Sequence, residues 1–322
     1  MEPLPPARVL VLAGPTASGK SEVALHLAER IGGEIVSVDS MQVYRGMDIG
    51  TAKPTPADRA RVRHHLLDVA DPAEPFDAAR FVQLARAALA EIAARGRPAI
   101  LCGGTGLYFK ALALGLGRAP APDPVLRARL EATPLPELLR ELAEKDPVTY
   151  ERIDRRNPRR VIRAVEVIRL TGRPFSAQRA SWEPGAWPPA WRGRMFALRR
   201  RPDDLRRRIE QRVDQMFHNG LIEETRALLA RGVPENATAL QALGYRQVRE
   251  YLKGARSLEE TVAEVKVRTR QFARRQMTWF RHQMPLAWIE VEPDARPEPL
   301  ARALAERWLA AESQPDPPVA SD

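Results

Sequence analysis

The chain has 322 residues, 44% of them hydrophobic, enough to bury one large domain or a core with a smaller companion. Its single cysteine, Cys102, excludes an intrachain disulfide and fits a reducing compartment, and no apolar run reaches the roughly 18 residues that a membrane span needs. A net charge of +10 favours a polyanionic partner without bearing on fold, and residues 1–7 lack a basic start followed by an apolar stretch, so the expected location is the cytoplasm.

Val9 to Ala13 is a short apolar run that reads as a strand, and Glu22 to Ile31 carries apolar residues at helical spacing through Val23, Leu27 and Ala28. Between them, Gly14-Pro15-Thr16-Ala17-Ser18-Gly19-Lys20-Ser21 fits G-x-x-x-x-G-K-[ST] in its strand–loop–helix setting. Glycines let the backbone curl so that amide hydrogens and the helix N-terminus face an anion. Lys20 adds a full charge, and the Ser21 hydroxyl suits Mg2+. Gly14, Pro15, Thr16, Ala17, Ser18, Gly19, Lys20 and Ser21 are therefore the expected diphosphate-binding set, with Ser21 the metal ligand. The motif alone is equally an ATP-binding signature, and these residues do not choose between ATP and another diphosphate.

Ile35 to Val38 reads as a second strand ending at Asp39, and Ala99 to Cys102 as a third ending at Gly103-Gly104, with an amphipathic helix, Phe81 to Ala94, between them. Alternating strands and helices predict an α/β fold, a P-loop NTPase-like doubly wound parallel sheet. Ligands in such sheets gather at the carboxyl ends of the strands, which places the site among Gly14, Asp39 and Gly103. Asp39 has three readings: a carboxylate holding magnesium through water, a general base, or a turn cap. The following Ser40-Met41-Gln42-Val43-Tyr44 suits a heteroaromatic ring better than a bare phosphate, and Gly103 to Tyr108 forms a second close-approach turn aiming Thr105 at the same cleft.

A Pro-rich linker at Arg118 to Asp123 opens an Arg-rich helical insertion, expected over 119–193 within a core of 1–118 and 194–311. Asn157 is placed to cap a helix that begins at Pro158. Between Ile153 and Arg173 stand Arg155, Arg156, Arg159, Arg160, Arg163, Arg169 and Arg173 against Asp154 and Glu166. Met195 to Leu198 resumes the sheet, and long helices are expected from Leu205 to Arg231 and from Leu258 to His282. In the last of these, Lys266, Arg270, Arg274 and Arg281 fall within about 80° of one another, nearly opposite an apolar stripe of Val265, Phe272 and Trp279 that reads as core contact. Two basic stripes in a phosphate-binding chain point to nucleic acid. Residues 312–322 are polar and Pro-rich, an expected disordered tail.

Gly14 to Ser21, Asp39 to Tyr44, Asp48 to Pro54, Gly103 to Tyr108, Arg208 to Arg212, Gln241 to Arg246 and Arg274 to Phe280 together resemble the bacterial tRNA dimethylallyltransferases over nearly the whole chain. The resemblance implies transfer of a dimethylallyl group from its diphosphate to the exocyclic amine of the adenosine 3′ of the tRNA anticodon, with the P-loop holding dimethylallyl diphosphate and Mg2+ rather than ATP. It implies that Asp39 takes the amine proton, that Arg212 steadies the leaving group, and that Thr105 completes the catalytic set. Asp39, Ser40, Met41, Gln42 and Thr105 would line the adenosine site. Arg127, then Arg159, Arg160, Val161, Ile162 and Arg163, then Gln241, Ala242, Leu243, Gly244, Tyr245 and Arg246 match segments that contact the anticodon stem-loop, and the enzyme is expected to be a monomer. Asp154-Arg155-Arg156 stands where the family often carries His-Pro-Asn. Read from the residues alone, an ATP-dependent small-molecule kinase, a prenyltransferase acting on free adenine nucleotides and a non-enzymatic RNA-binding switch that senses nucleotide remain the alternatives.

Overall fold

A computed structural model describes residues 8–180, 182 and 187–312. The expected tail, apart from Glu312, lies outside the described residues, as do residues 183–186 of the Trp/Pro-rich stretch. The described chain forms two compact units. One runs up to Ala113 and resumes at Trp187, and the other begins at Leu114, whereas the expected insertion began at 119 and ended at 193.

In the first unit six strands, β1 (Val9–Ala13), β2 (Glu34–Val38), β3 (His64–His65), β4 (Ala99–Gly103), β5 (Met195–Arg199) and β6 (Ala287–Glu290), form one sheet in the order β3-β2-β4-β1-β5-β6. Every pairing is parallel. Four of the six were legible in the sequence. β3 has only two residues, both His, and the short apolar run of β6 comes just after Pro285 and the helix that ends at Gln283, with its end residues exposed, so the sequence reading assigned neither. The register matters more than the count: Gly103 of β4 lies opposite Ala13 of β1 and opposite Val38 of β2, so three strands end level. A Cβ at Gly103 would collide with the Val38 carbonyl, so only glycine permits that approach.

Helices α1 (Lys20–Ile31), α2 (Pro56–Arg61), α3 (Ala78–Ala94) and α4 (Gly106–Leu114) follow the early strands. Leu10, Leu12, Leu27, Ile100, Leu198 and Trp308 lie within one fully buried cluster between the sheet and its helices, each such side chain being worth about 1.5–3 kcal/mol relative to exposure.

The second unit packs α5 (Pro124–Glu131), α6 (Leu135–Lys145), α7 (Pro147–Arg152) and α8 (Pro158–Thr171) around Leu130, Leu138, Leu142, Val161, Ala164 and Val165. Asn157 caps α8 through the Arg160 N–H, with Pro158 in its first turn, and Gly172 closes it at φ +67°.

Downstream, the expected helix Leu205 to Arg231 is two helices, α9 (Pro202–His218) and α10 (Leu221–Ala230). The break is at Gly220, whose φ of +99° only glycine adopts at no cost, and Glu223 and Glu224 then favour a new N-terminus. After α11 (Tyr245–Leu252), α12 (Leu258–Gln283) opens on a capping box of Ser257 and Glu260, and α13 (Pro297–Glu312) ends the described chain.

The stripe expected on α12 needs correction. Its buried seam is Val265, Thr269, Ala273, Gln276 and Phe280, while Phe272 is 39% exposed. A strict seven-residue spacing drifts by about 20° per repeat on a straight helix, whereas steps of four, four, three and four hold one face. Nor is the basic stripe free: Lys266 pairs with Asp214 at 2.6 Å and Arg270 with Glu210 at 2.9 Å, both on α9, which leaves Arg274 and Arg281 on the surface.

Candidate active site

The level strand ends in the first unit bring the three sequence-marked turns together. After β1 the loop curls through Gly14, Ala17 at φ +64° and Gly19 at φ +94°, and α1 begins at Lys20 with no side-chain cap. An uncapped helix N-terminus leaves its first N–H groups seeking an anion, and a non-glycine residue in the left-handed region holds strain that a bound ligand can justify. Lys20 Nζ lies 3.3 Å from the Pro15 carbonyl. Burial lowers its pKa, and the Arg212 charge lowers it further while Asp39 opposes the shift. Arg212, from α9, donates to Thr16 Oγ1 at 3.4 Å, and its pKa is likewise lowered by burial, with Asp39 opposing. Two cations pressed into a partly dry pocket and answered by one carboxylate make a site that a polyanion would relieve.

Two further arginines brace the loop from behind, neither singled out in the sequence as a site residue. Arg200 Nε donates to the Ser18 carbonyl at 2.9 Å while its Nη1 binds Asp204 at 2.8 Å, and Arg208 Nε donates to the Ala17 carbonyl at 3.1 Å. Arg208 opens the Arg208–Arg212 block noted in the sequence, whereas in a chain so rich in arginine no sequence signal distinguishes Arg200. Gly19 is favoured by its φ of +94° rather than by space, since a Cβ there would meet Arg200 and Arg208 only at ordinary contact distance.

Asp39 follows β2. Its Oδ1 accepts the Met41 N–H at 2.8 Å and the Gln42 N–H at 3.3 Å, and Oδ2 accepts no hydrogen bond among the described residues. The turn-cap reading and a reactive carboxylate therefore coexist, one oxygen serving each. Thr105 brackets the same residue: its N–H donates to Val38 O at 3.2 Å and its Oγ1 accepts the Ser40 N–H at 3.1 Å. Cys102 sits below, its thiol pushed up to about 11, chiefly by burial. At this pKa it remains an uncharged thiol. Gly106 lets the Trp279 ring close over the start of α4, where any Cβ would collide with it.

The segment after Asp39 is tied down by groups of its own unit. Gln42 accepts from Ser37 Oγ at 2.9 Å and donates to the Thr51 and Ala52 carbonyls, both at 3.2 Å, so its amide shapes the loop rather than standing free. Lys53, its side chain fully buried, binds Tyr44 O, Asp48 and Asp68 at 2.6–2.7 Å. Glu224 accepts from the backbone N–H groups of Asp48, Ile49 and Gly50 and from the Tyr245 hydroxyl, the last at 2.5 Å. Burial and Glu224 both push the Tyr245 phenol up, keeping it a donor.

The remaining residues expected to contact tRNA divide by exposure. In the second unit Arg159 and Arg160 are exposed, whereas Val161 and Ile162 face the helical core. Arg127 and Arg163 both pair with the fully buried Glu166, Arg127 Nε at 3.0 Å and Arg163 Nη1 at 2.6 Å. Removing one partner of such a carboxylate leaves a buried charge short of compensation. In the first unit Ala242, Gly244 and Tyr245 are buried, Gln241 and Leu243 are half-buried, and Arg246 is exposed.

The sequence reading also gave no role to Gln276. It is 8% exposed, accepts the Thr16 N–H at 2.9 Å and donates to the Gly104 carbonyl at 2.9 Å. The available signal was a polar residue on the buried seam of α12. Among the described residues no group of three or more His, Cys, Asp or Glu gathers for a metal. A divalent ion at this site would take ligands from the exposed Ser21 hydroxyl, phosphate oxygens and water, a donor set that suits magnesium.

The family described as IPP transferase matches residues 42–283. A protein named tRNA dimethylallyltransferase 1 from Citrifermentans bemidjiense is 48% identical over 283 residues, 88% of this chain and 92% of its own length. Among solved structures, the tRNA isopentenylpyrophosphate transferase of Bacillus halodurans is 37% identical with a TM-score of 0.67, covering 94% of this chain and 97% of its own. A eukaryotic dimethylallyltransferase acting on tRNA, 24% identical with a TM-score of 0.76 over 98% of this chain and 81% of its own, shares the fold.

Proposed function

The chain belongs to the IPP transferase family, and from that premise we infer that it is a tRNA dimethylallyltransferase that moves the allyl group of dimethylallyl diphosphate onto the exocyclic amine of the adenosine 3′ of the anticodon. One juxtaposition carries the reading: the half-buried cations Lys20 and Arg212 at an uncapped helix start, within electrostatic reach of an Asp39 carboxylate that keeps one oxygen unengaged.

The diphosphate sits on residues 14–21, where backbone N–H groups, Lys20 and Arg212 take up the charge that grows as the allylic C–O bond breaks. Ser21, exposed at the start of α1, would hold a Mg2+ ion bound with the diphosphate, which would supply Lewis-acid neutralisation of the same group. The adenine nitrogen attacks the allylic carbon, the bonding pair of the C–O bond leaves with diphosphate, and the amine proton passes to Asp39 Oδ2. The Met41 N–H holds that carboxylate, and Thr105 holds the backbone on either side of Asp39, so its orientation is fixed before substrate arrives. Turning the purine out of the anticodon loop costs about a few kcal/mol, which the exposed Arg159 and Arg160 of the second unit and Arg246, Arg274 and Arg281 of the first help to offset through phosphate contacts. No helix among the described residues is long and apolar enough to cross a membrane, and we place the enzyme with its substrate in the cytoplasm.

The test is incubation with dimethylallyl diphosphate, magnesium and unmodified tRNA, followed by mass analysis of the nucleosides. A prenylated adenosine adjacent to the anticodon supports the reading. Phosphoryl transfer from ATP with no prenylated nucleoside would replace it with the kinase class.

A further inference from the structure

We propose that Gln276 is a positioning residue that sets the distance between the diphosphate cradle and the Asp39 carboxylate, through a hydrogen-bonded relay from the P-loop to the second glycine turn. The proposal rests on the transferase reading above and adds to it a residue that touches neither reacting group.

The geometry is continuous. Gln276 Oε1 accepts the N–H of Thr16, whose hydroxyl also receives Arg212, so the P-loop is held at one residue by both α9 and α12. Gln276 Nε2 donates to Gly104 O. The next residue, Thr105, donates to Val38 O and accepts from Ser40 N, gripping the chain on either side of Asp39. One neutral amide thus has its donor on one turn and its acceptor on the other. No carboxylate, ammonium or hydrocarbon of that length supplies both halves at once. The amide is 8% exposed, so water does not readily replace either bond.

Gly104 gives an independent mark of the same contact. Its backbone is not in the left-handed region, so its conformation is open to other residues. Yet a Cβ there would fall inside the Gln276 Nε2 atom, and its other neighbours are at ordinary distance. Glycine at 104 thus makes room for the amide where it stands, and any larger residue there would have to displace it.

Prenyl transfer joins a nitrogen to a carbon whose positions are fixed by separate turns, and a misplacement of about 1 Å between reacting groups costs on the order of 100-fold. Gln276→Ala should lower kcat by about 10- to 100-fold, with KM for tRNA and for dimethylallyl diphosphate changed less than about threefold. Calorimetric titration of the same preparations with inorganic diphosphate and magnesium should give one site per chain, as in the wild type. A merely structural defect would lower that stoichiometry in step with kcat and overturn the proposal, as would wild-type kcat in the variant.

A double-mutant cycle gives a second reading. Gly104→Ala should reproduce the kcat defect by displacing the amide, and adding it to Gln276→Ala should cause no further loss, because the space is then empty. Independent, multiplying losses would overturn the relay. Wild-type protein that binds diphosphate but prenylates no tRNA would instead remove the transferase reading, so the two failures are distinguishable.

Discussion

Arg212 Nη1 reaches Thr16 Oγ1 at 3.4 Å across 196 residues of sequence, placing a guanidinium from α9 at the mouth of the loop that follows β1. Burial makes that cation costly unless an anion answers it, and its proximity to Lys20 raises the cost further. The pair is built for a ligand with more than one negative charge.

Arg212→Gln should therefore lower kcat by about 10²- to 10³-fold, the scale for losing one preorganised donor to a developing oxyanion. Arg212→Lys should recover only part of it, because a point charge on a flexible stem does not reproduce the planar fork. Steady-state kinetics with saturating tRNA decide this, and wild-type kcat in either variant would move the leaving-group role elsewhere.

Asp39→Asn keeps an oxygen for the Met41 N–H, so the turn should survive with a melting temperature near that of the wild type. Its amide cannot take up the amine proton, so single-turnover prenyl transfer should fall by about 10²- to 10⁴-fold. tRNA affinity, read by filter binding, should be little changed. Full activity would dismiss the carboxylate as base.

Chelating magnesium should stop transfer, and Ser21→Ala should raise the magnesium concentration needed for half-maximal rate. The direction follows if the proposed metal takes one protein oxygen, from Ser21, and its other ligands from phosphate and water. Undiminished turnover in excess chelator would refute the metal requirement.

Glu224→Ala removes the acceptor shared by the N–H groups of Asp48, Ile49 and Gly50 and by Tyr245. The expected loss is about 1–3 kcal/mol in denaturant unfolding, with faster amide exchange confined to residues 48–50. Exchange unchanged there would mean the loop is held by Lys53 alone.

Glu34, buried at the start of β2, binds Arg95 through two bonds of 2.8 Å and His65 at 2.7 Å. Burial raises its carboxyl, but Arg95 and His65 outweigh that and hold it at about 2, below an ordinary value of 4.5. A depressed folded pKa stabilises fully above the unfolded value and is lost as pH falls from 4.5 through about 2, by about 3 kcal/mol at most. In urea melts over that window Glu34→Gln should be flatter than the wild type. Parallel slopes would contradict the assignment.

Much of this molecule could be read before any coordinates, because its main signals are local. The strand, loop and helix around Lys20, the parallel α/β class and the Asn157–Pro158 helix start each depend on residues within a few positions of one another. The same holds for placing Gly14, Asp39 and Gly103 at one edge, since that follows from strand polarity. Local rules failed where the partner was distant. The basic face of α12 looked free until Asp214 and Glu210 of α9 were found against it, and Arg127 looked like surface charge until Glu166, on another helix, claimed it.

The order of amino acids alone settled that a phosphate loop, an acid and a second glycine turn would share the carboxyl edge of a parallel sheet, because backbone geometry and side-chain period are properties of short segments. Only the folded chain decided what braces that edge. Arg200, Arg208 and Gln276 reach the loop from 182 to 260 residues away. Contacts at such separation leave no periodic trace in the sequence, since they are selected by close packing of whole helices rather than by the conformation of any one of them.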